Sequence, residues 1–247
     1  MPPFRITLAY DGAGFVGWQR QAAGVSIQGL LEDALGEIEG GAVSVVGAGR
    51  TDAGVHALGQ VAAFTLTRDI DADVVVRALN AHLPETVRVL AAEIAAADFH
   101  PQFAARSKTY RYRIWNGHAV SPFERAYVWH VPGPLDIEAM AAAARLFEGT
   151  HDFKGFQGSG SDVKTTVRTV HESAIGRSVI GDSLIHYEIR GDGFLRHMVR
   201  TIAGTLVEVG RGRRSAESMR ELIAAGDRSA VGQTAPPHGL FLVRVEY

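Results

Sequence analysis

An α+β protein built from two ferredoxin-like halves is the fold this sequence predicts, and three observations predict it. Strand and helix signals follow one another as β-α-β-β-α-β in the first part of the chain. The same order returns in the second part. No heptad pattern, low-complexity tract or solenoid-length repeat offers another architecture. Two such halves give a largely antiparallel mixed sheet with helices packed on it. The boundaries expected are 1–105 for the first half and 106–247 for the second.

Phe4, Ile6, Leu8 and Tyr10 alternate with polar or small residues and read as a first strand, ended by Asp11-Gly12-Ala13-Gly14. Ser26 can cap a helix whose apolar positions Ile27, Leu30, Leu31, Ala34, Leu35 and Ile38 follow the helical period, and Gly40-Gly41 stops it. Strands at 43–46 and 61–66 flank a glycine-rich loop, then a helix over 72–81 and a strand over 87–90 complete the first half. The second half offers a strand at 108–115, a helix over 137–147 after Asp136, and strands at 167–175 and 184–190. A long helix follows over 194–209, then a short helix capped by Ser215 and ended by Gly226, and a last strand at 240–245. The segment 116–134 is rich in turn residues. The segment 155–162, Gly-Phe-Gln-Gly-Ser-Gly-Ser-Asp, is expected to be mobile and poorly ordered without substrate.

With 247 residues, 46% of them hydrophobic and 21% charged, the chain can bury a proper core. It contains no cysteine, so disulfides, thiolate nucleophiles and cysteine-held zinc are excluded. The start, Met1-Pro2-Pro3-Phe4-Arg5, lacks a basic flank followed by an apolar run, and no stretch has membrane-spanning length, so a cytoplasmic protein is expected. A net charge of -2 does not advertise a nucleic-acid binder. Local polarity does: Arg190, Arg196, Arg200, Arg211, Arg213 and Arg214 stand against only Asp192 and Glu208 over 190–214. A second cluster, Arg106, Lys108, Arg111 and Arg113, is interleaved with Tyr110, Tyr112 and Trp115. Such mixtures suit bases and phosphates together, and equally suit a solvated strand face with aromatics in the core.

The most informative stretch is 47–60, Gly-Ala-Gly-Arg-Thr-Asp-Ala-Gly-Val-His-Ala-Leu-Gly-Gln. Gly47, Gly49, Gly54 and Gly59 allow positive φ and close backbone approach, as a loop folding around a ligand requires. Two phosphate-cradling patterns fail at named positions. The dinucleotide fingerprint needs glycine where Asp52 stands, and the Walker pattern needs lysine where Val55 stands. Taken alone, Asp52 is a turn residue bonding its own backbone or a carboxylate presented to a substrate. Ten histidines invite a metal reading, but no pair sits at ligand spacing on an expected helix beside an acidic third ligand, so His56, His100, His151 and His197 read as structural or RNA-facing.

The string Gly49-Arg50-Thr51-Asp52-Ala53-Gly54-Val55-His56 with Gly59-Gln60 closely resembles the signature loop of the TruA family of tRNA pseudouridine synthases. Further resemblance runs along nearly the whole chain. Tyr10-Asp11-Gly12 with Gly17-Trp18-Gln19, then Ser26-Ile27-Gln28, resemble the family's opening; Leu79-Asn80, Leu83-Pro84 and Phe99-His100 resemble its middle landmarks. Lys108-Thr109-Tyr110-Arg111-Tyr112, the stretch 194–200 and Thr234-Ala235-Pro236 with Gly239-Leu240 are similar to its later segments. Pro101-Gln102 departs from the small residue and arginine common after Phe-His, and Thr201 stands where asparagine is common.

The resemblance implies isomerisation of uridine to pseudouridine in the anticodon stem-loop of tRNA, at tRNA positions 38–40, with no redox cofactor. It implies that Asp52 is the essential carboxylate, acting as a nucleophile toward sugar or base or as the base that takes a ribose proton. Enclosing a carboxylate beside a stacked base favours the neutral acid unless a cation stands near. The late-helix Arg200 is the candidate partner, its alternative being an ion pair with Glu208 or a phosphate. Arg50 is expected to fill the space left by the displaced base or to hold a phosphate. The target nucleotide must leave the stack, and Tyr110, rather than Tyr112, is the residue whose family position places it against the base. The resemblance also implies a homodimer gripping one tRNA. The rivals are a non-catalytic RNA-binding protein and a small-molecule enzyme with a carboxylate base.

Overall fold

The computed structural model describes residues 3–160, 163–178 and 181–247. In chain order the elements are β1 (Phe4–Tyr10), α1 (Ile27–Glu39), β2 (Val46–Gly47), β3 (His56–Phe64), α2 (Ala72–His82), β4 (Val87–Ile94), β5 (Ser107–Trp115), β6 (Trp129–His130), α3 (Ile137–Arg145), β7 (Gly149–Asp152), β8 (Val167–Ser178), β9 (Gly181–Gly191), α4 (Met198–Gly210), α5 (Ser218–Ala225) and β10 (Leu240–Glu246). They group into two compact units, residues 1–106 with 241–247, and residues 107–240.

In the first unit β1 runs antiparallel between β3 and β4, with Ile6 opposite Ala62 on one side and Ala92 on the other. The start of β3 pairs in parallel with β10, Phe241 opposite His56, and its far end pairs antiparallel with β2. The order β4-β1-β3-β2 is the ferredoxin-like arrangement that the sequence predicts, here extended by β10. Helix α1 forms where expected, because the Ser26 hydroxyl accepts the Gly29 N–H at 3.2 Å and Gly40 turns left-handed to end it. Its Ile27, Leu31 and Leu35 are buried, each stabilising by roughly 2 kcal/mol relative to exposure.

The second unit carries an antiparallel sheet β5-β9-β8-β7, with β6 parallel to β5 at its end. Its core is aromatic: Tyr112, Tyr187, Phe147, Phe153 and Phe156 are fully buried. The phenols find partners, Tyr112 donating to the Pro236 carbonyl at 2.7 Å and Tyr187 sharing a 3.0 Å bond with Ser173. Helix α4 is apolar on nearly all sides, and only Arg200 and Glu208 along it escape full burial.

The structure differs from the sequence reading in several places: the strand expected over 43–46 is only Val46–Gly47, β6 and β7 add two short strands, and the helix expected after a Ser215 cap starts at Ser218. The strand after the glycine loop starts at His56 instead of 61, because His56, Gly59 and Gln60 are buried and interrupt the apolar run that marked it. Helix α4 starts at Met198 instead of 194. Its N-cap, His197, has φ 63°, the one positive-φ non-glycine among the described residues, and that conformation cannot continue a helix backward. The segment expected to be mobile is instead anchored at its start: 154–156 form a 3₁₀ turn in which Gly155 and Phe156 are buried. The last two residues of that segment, 161 and 162, lie outside the described residues. Among the described residues no helix is long and apolar enough to cross a membrane.

Candidate active site

Asp52 sits in the turn between β2 and β3, half-buried, and its carbonyl accepts the Val55 N–H at 3.1 Å to close that turn. The next side chain back, Thr51, points inward and shares a 2.8 Å hydrogen bond with the Tyr10 hydroxyl. Gln60 reaches the same hydroxyl at 3.4 Å and donates to the Gly49 carbonyl at 2.9 Å. Tyr10 is fully enclosed, and burial pushes its phenol up to about 12, so it stays neutral. Thr51 also accepts the Trp18 N–H through its carbonyl at 3.0 Å. Beneath this contact lies Gly17 at φ 108°, where a Cβ would come within 2.7 Å of the Thr51 carbonyl oxygen and 3.2 Å of the Asp52 carbonyl carbon. Only glycine allows the chain to pass so close below the carboxylate-bearing residue.

The loop therefore presents Asp52 from a backbone braced by buried groups, while Arg50 two residues earlier is exposed. Of the four glycines expected to allow positive φ and close backbone approach, Gly54 takes positive φ, at 76°. Gly47 and Gly59 serve close approach instead: a Cβ at Gly47 would meet the Trp18 indole at 2.5 Å, and one at Gly59 the Val243 carbonyl at 2.6 Å.

In the second unit Tyr110 is buried on β5 with the Phe194 ring edge-on at 5.2 Å and 82°. Arg200, half-buried on α4, donates from Nε to the Ala235 carbonyl at 2.8 Å, while Ala235 N–H donates to the Arg200 carbonyl at 3.1 Å. This reciprocal pair ties the guanidinium to the segment before β10. Glu208 takes Arg214 as a partner. Arg200 and Asp52 thus stand on different units, as do Tyr110 and Arg50.

The basic clusters are partly neutralised. Arg111 is held by Glu188 at 2.8 Å, Arg113 by Glu124 at 2.6 Å, and Arg190 lies 3.7 Å from Glu172. Tyr112 belongs to the core. Lys108 is half-buried on β5, and burial, with Arg168 nearby, lowers its pKa against the pull of Asp192. Of the histidines weighed as RNA-facing, His56 is sealed in the interior. His100 accepts the Gln102 and Phe103 N–H groups, and His151 bonds the Glu148 carbonyl.

A family model described as tRNA pseudouridine synthase matches residues 6–104 and 143–247. The tRNA pseudouridine synthase A of Solibacter usitatus is 49% identical over 250 residues, covering 100% of both chains. That of Solidesulfovibrio magneticus is 48% identical and that of Myxococcus xanthus 46%, each covering 100% of this chain and 92% of the relative. The chain belongs to the tRNA pseudouridine synthase family. Among solved structures, the archaeal box H/ACA sRNP Nop10–Cbf5 complex is similar over 83% of this chain and 44% of that one, at 10% identity and a TM-score of 0.37, too distant to bear on function.

A pseudouridine synthase is an isomerase, converting uridine in tRNA to pseudouridine. Asp52, Arg50 and Arg200 fall inside the matched segments and Tyr110 falls between them. What sequence reasoning did not find is the bracing set. Tyr10 reads from its alternation as a plain core residue, and Gly17 and Gln60 read as motif letters. A tyrosine at a core position beside a turn, with a polar partner required for its hydroxyl, was the signal present.

Proposed function

We propose that this chain isomerises uridines of the tRNA anticodon stem-loop, at tRNA positions 38–40, with Asp52 as the essential carboxylate. In the reaction the N1–C1′ bond breaks, a C5–C1′ bond forms, C5 loses a proton and N1 gains one. Nothing is oxidised, and no co-reactant is consumed. Asp52 opens the sequence by attacking the sugar or base, or by taking a ribose proton; both routes need an ionised carboxylate held in one place. Tyr110 is the aromatic contact for the extruded base, Arg200 the counter-cation for Asp52, and Arg50 the exposed cation for a phosphate or the vacated space. Each half of the chain, 1–105 and 106–247, contributes part of this set. The acting form is a homodimer in the cytoplasm.

The observation that carries this reading is the braced turn: a half-exposed carboxylate on a backbone fixed by buried tyrosine, threonine and glutamine is costly to maintain for an ordinary turn residue. The test incubates the purified chain with unmodified tRNA and no added cofactor, maps pseudouridine by position, and repeats with Asp52→Ala. Product at the anticodon stem-loop that vanishes in Asp52→Ala, while tRNA binding persists, is expected. Product elsewhere overturns the substrate site. Product from Asp52→Ala overturns the role of the carboxylate.

A further inference from the structure

His56 opens β3, and its ring is 1% exposed. An imidazole taken so far from water needs a polar partner. Its Nδ1 lies 3.0 Å from the backbone nitrogen of Gly12 and 3.0 Å from Oδ1 of Asp11. These two contacts ask for opposite states: accepting the Gly12 N–H needs a lone pair on Nδ1, and pairing with the carboxylate needs a proton there. The Gly12 amide can only donate, and burial disfavours an imidazolium, so the neutral ring accepting from Gly12 is the consistent assignment. Asp11 Oδ1 already accepts the Ala13 N–H at 3.0 Å, and its side chain is 30% exposed. The ring lies flat against Phe241, centroids 4.7 Å apart and 20° from parallel.

A second contact presses the same two segments together. A Cβ on Gly12 would lie 2.0 Å from the carbonyl oxygen of Val55, the residue before His56. Val55 in turn donates to the Asp52 carbonyl. The path from the 11–14 turn to the carboxylate-bearing residue is therefore one imidazole bond, one backbone contact and one turn bond.

We infer that His56 is a positioning residue for Asp52: its Nδ1 clamps the 11–14 turn onto the 52–56 turn, so that the carboxylate is presented in a single place. The inference rests on Asp52 being the essential carboxylate. The experiment uses the full chain with His56→Phe, His56→Asn, His56→Gln and Asp52→Asn, reading the single-turnover rate at saturating unmodified tRNA, the Kd for tRNA, and Tm. His56→Phe keeps a ring against Phe241 and removes the acceptor. Asparagine puts its oxygen where Nδ1 stood, whereas glutamine puts its oxygen where Nε2 stood. His56→Phe should lose about 10²-fold in rate with Kd within about twofold, and His56→Asn should recover at least about tenfold of that loss. His56→Phe turning over like the parent overturns the inference, as does His56→Asn being no faster than His56→Phe. If His56→Phe fails to fold, His56→Asn must outrun His56→Gln, and equal rates overturn it. Asp52→Asn separates the two ideas: an active Asp52→Asn sinks the carboxylate reading, and an inactive one beside an active His56→Phe sinks the clamp alone.

Discussion

The turn at 48–55 and the loop at 155–160 are both rich in glycine, yet their backbones are held in different ways. Around Asp52 the Thr51 hydroxyl and the Gly49 carbonyl go to buried partners, Tyr10 and Gln60, His56 at the end of the turn receives the Gly12 N–H, and Gly17 lies against the underside. In the second loop Gly155 and Phe156 are buried, and the Gly158 N–H reaches the Arg196 carbonyl at 2.8 Å. Its tip is different: the Ser159 and Gly160 carbonyls accept from the exposed Arg196 guanidinium, at 3.0 and 3.2 Å. Glycine content reports which conformations are open to a chain, and the burial of its hydrogen-bond partners decides how firmly one of them is kept.

The largest effect that can break this comparison is catalytic. Asp52→Asn should lower the single-turnover rate by about 10³-fold or more, as loss of a positioned carboxylate does, whereas Arg196→Ala should change tRNA affinity and leave the rate at saturation within about tenfold. Comparable losses in rate would place both loops in the chemistry. Next comes backbone strain. Gly17→Ala forces a side chain into φ 108° with a backbone oxygen 2.7 Å away and should cost roughly 2–3 kcal/mol by denaturant unfolding. Gly158→Ala meets the His197 ring at 2.5 Å, and that ring can give by rotating, so about 1 kcal/mol is expected.

A smaller change sharpens the role of the buried network. Tyr10→Phe strands the Thr51 hydroxyl and removes a neighbour of Gln60, which should cost about 1–2 kcal/mol in stability. Tyr112→Phe in the second unit frees only the Pro236 carbonyl and should cost about 1 kcal/mol with little change in rate.

The smallest effect is in alkaline solution. The Tyr10 phenol is raised from 10.0 to about 12 in the folded chain, so the neutral form is preferred when folded. Its contribution is intact below pH 10 and is lost as pH climbs toward 12, amounting to less than about 1 kcal/mol by pH 10.5. Burial also raises Tyr112, Tyr187 and Tyr247, so the decisive quantity is the difference in slope between the parent chain and Tyr10→Phe. Identical slopes would mean that Tyr10 is not enclosed in solution.

Much of the fold was legible because its signals are local. Ser26, Asp136, Gly40 and Gly226 cap helices through bonds to residues three or four positions away, so their roles are written in short windows. The start of α4 was not legible. Phe194 to Arg196 continue the apolar period, and only the left-handed His197, with its ring against Gly158, breaks it. Asp52, too, was legible as a candidate, through the resemblance of the whole 49–60 string to the family's loop, since a carboxylate among glycines by itself also reads as a turn residue.

The main helices and strands, the caps at Ser26, Asp136, Gly40 and Gly226, and the identity of the signature loop come from the sequence by itself, because each depends on residues within one or two turns of each other. Tertiary structure alone decided that Tyr10 braces Thr51 across 41 positions and that His56 receives Gly12 across 44. Such bonds exist only after strands β1 and β3 have paired, and their register is fixed by the packing of a whole face, which no short window contains.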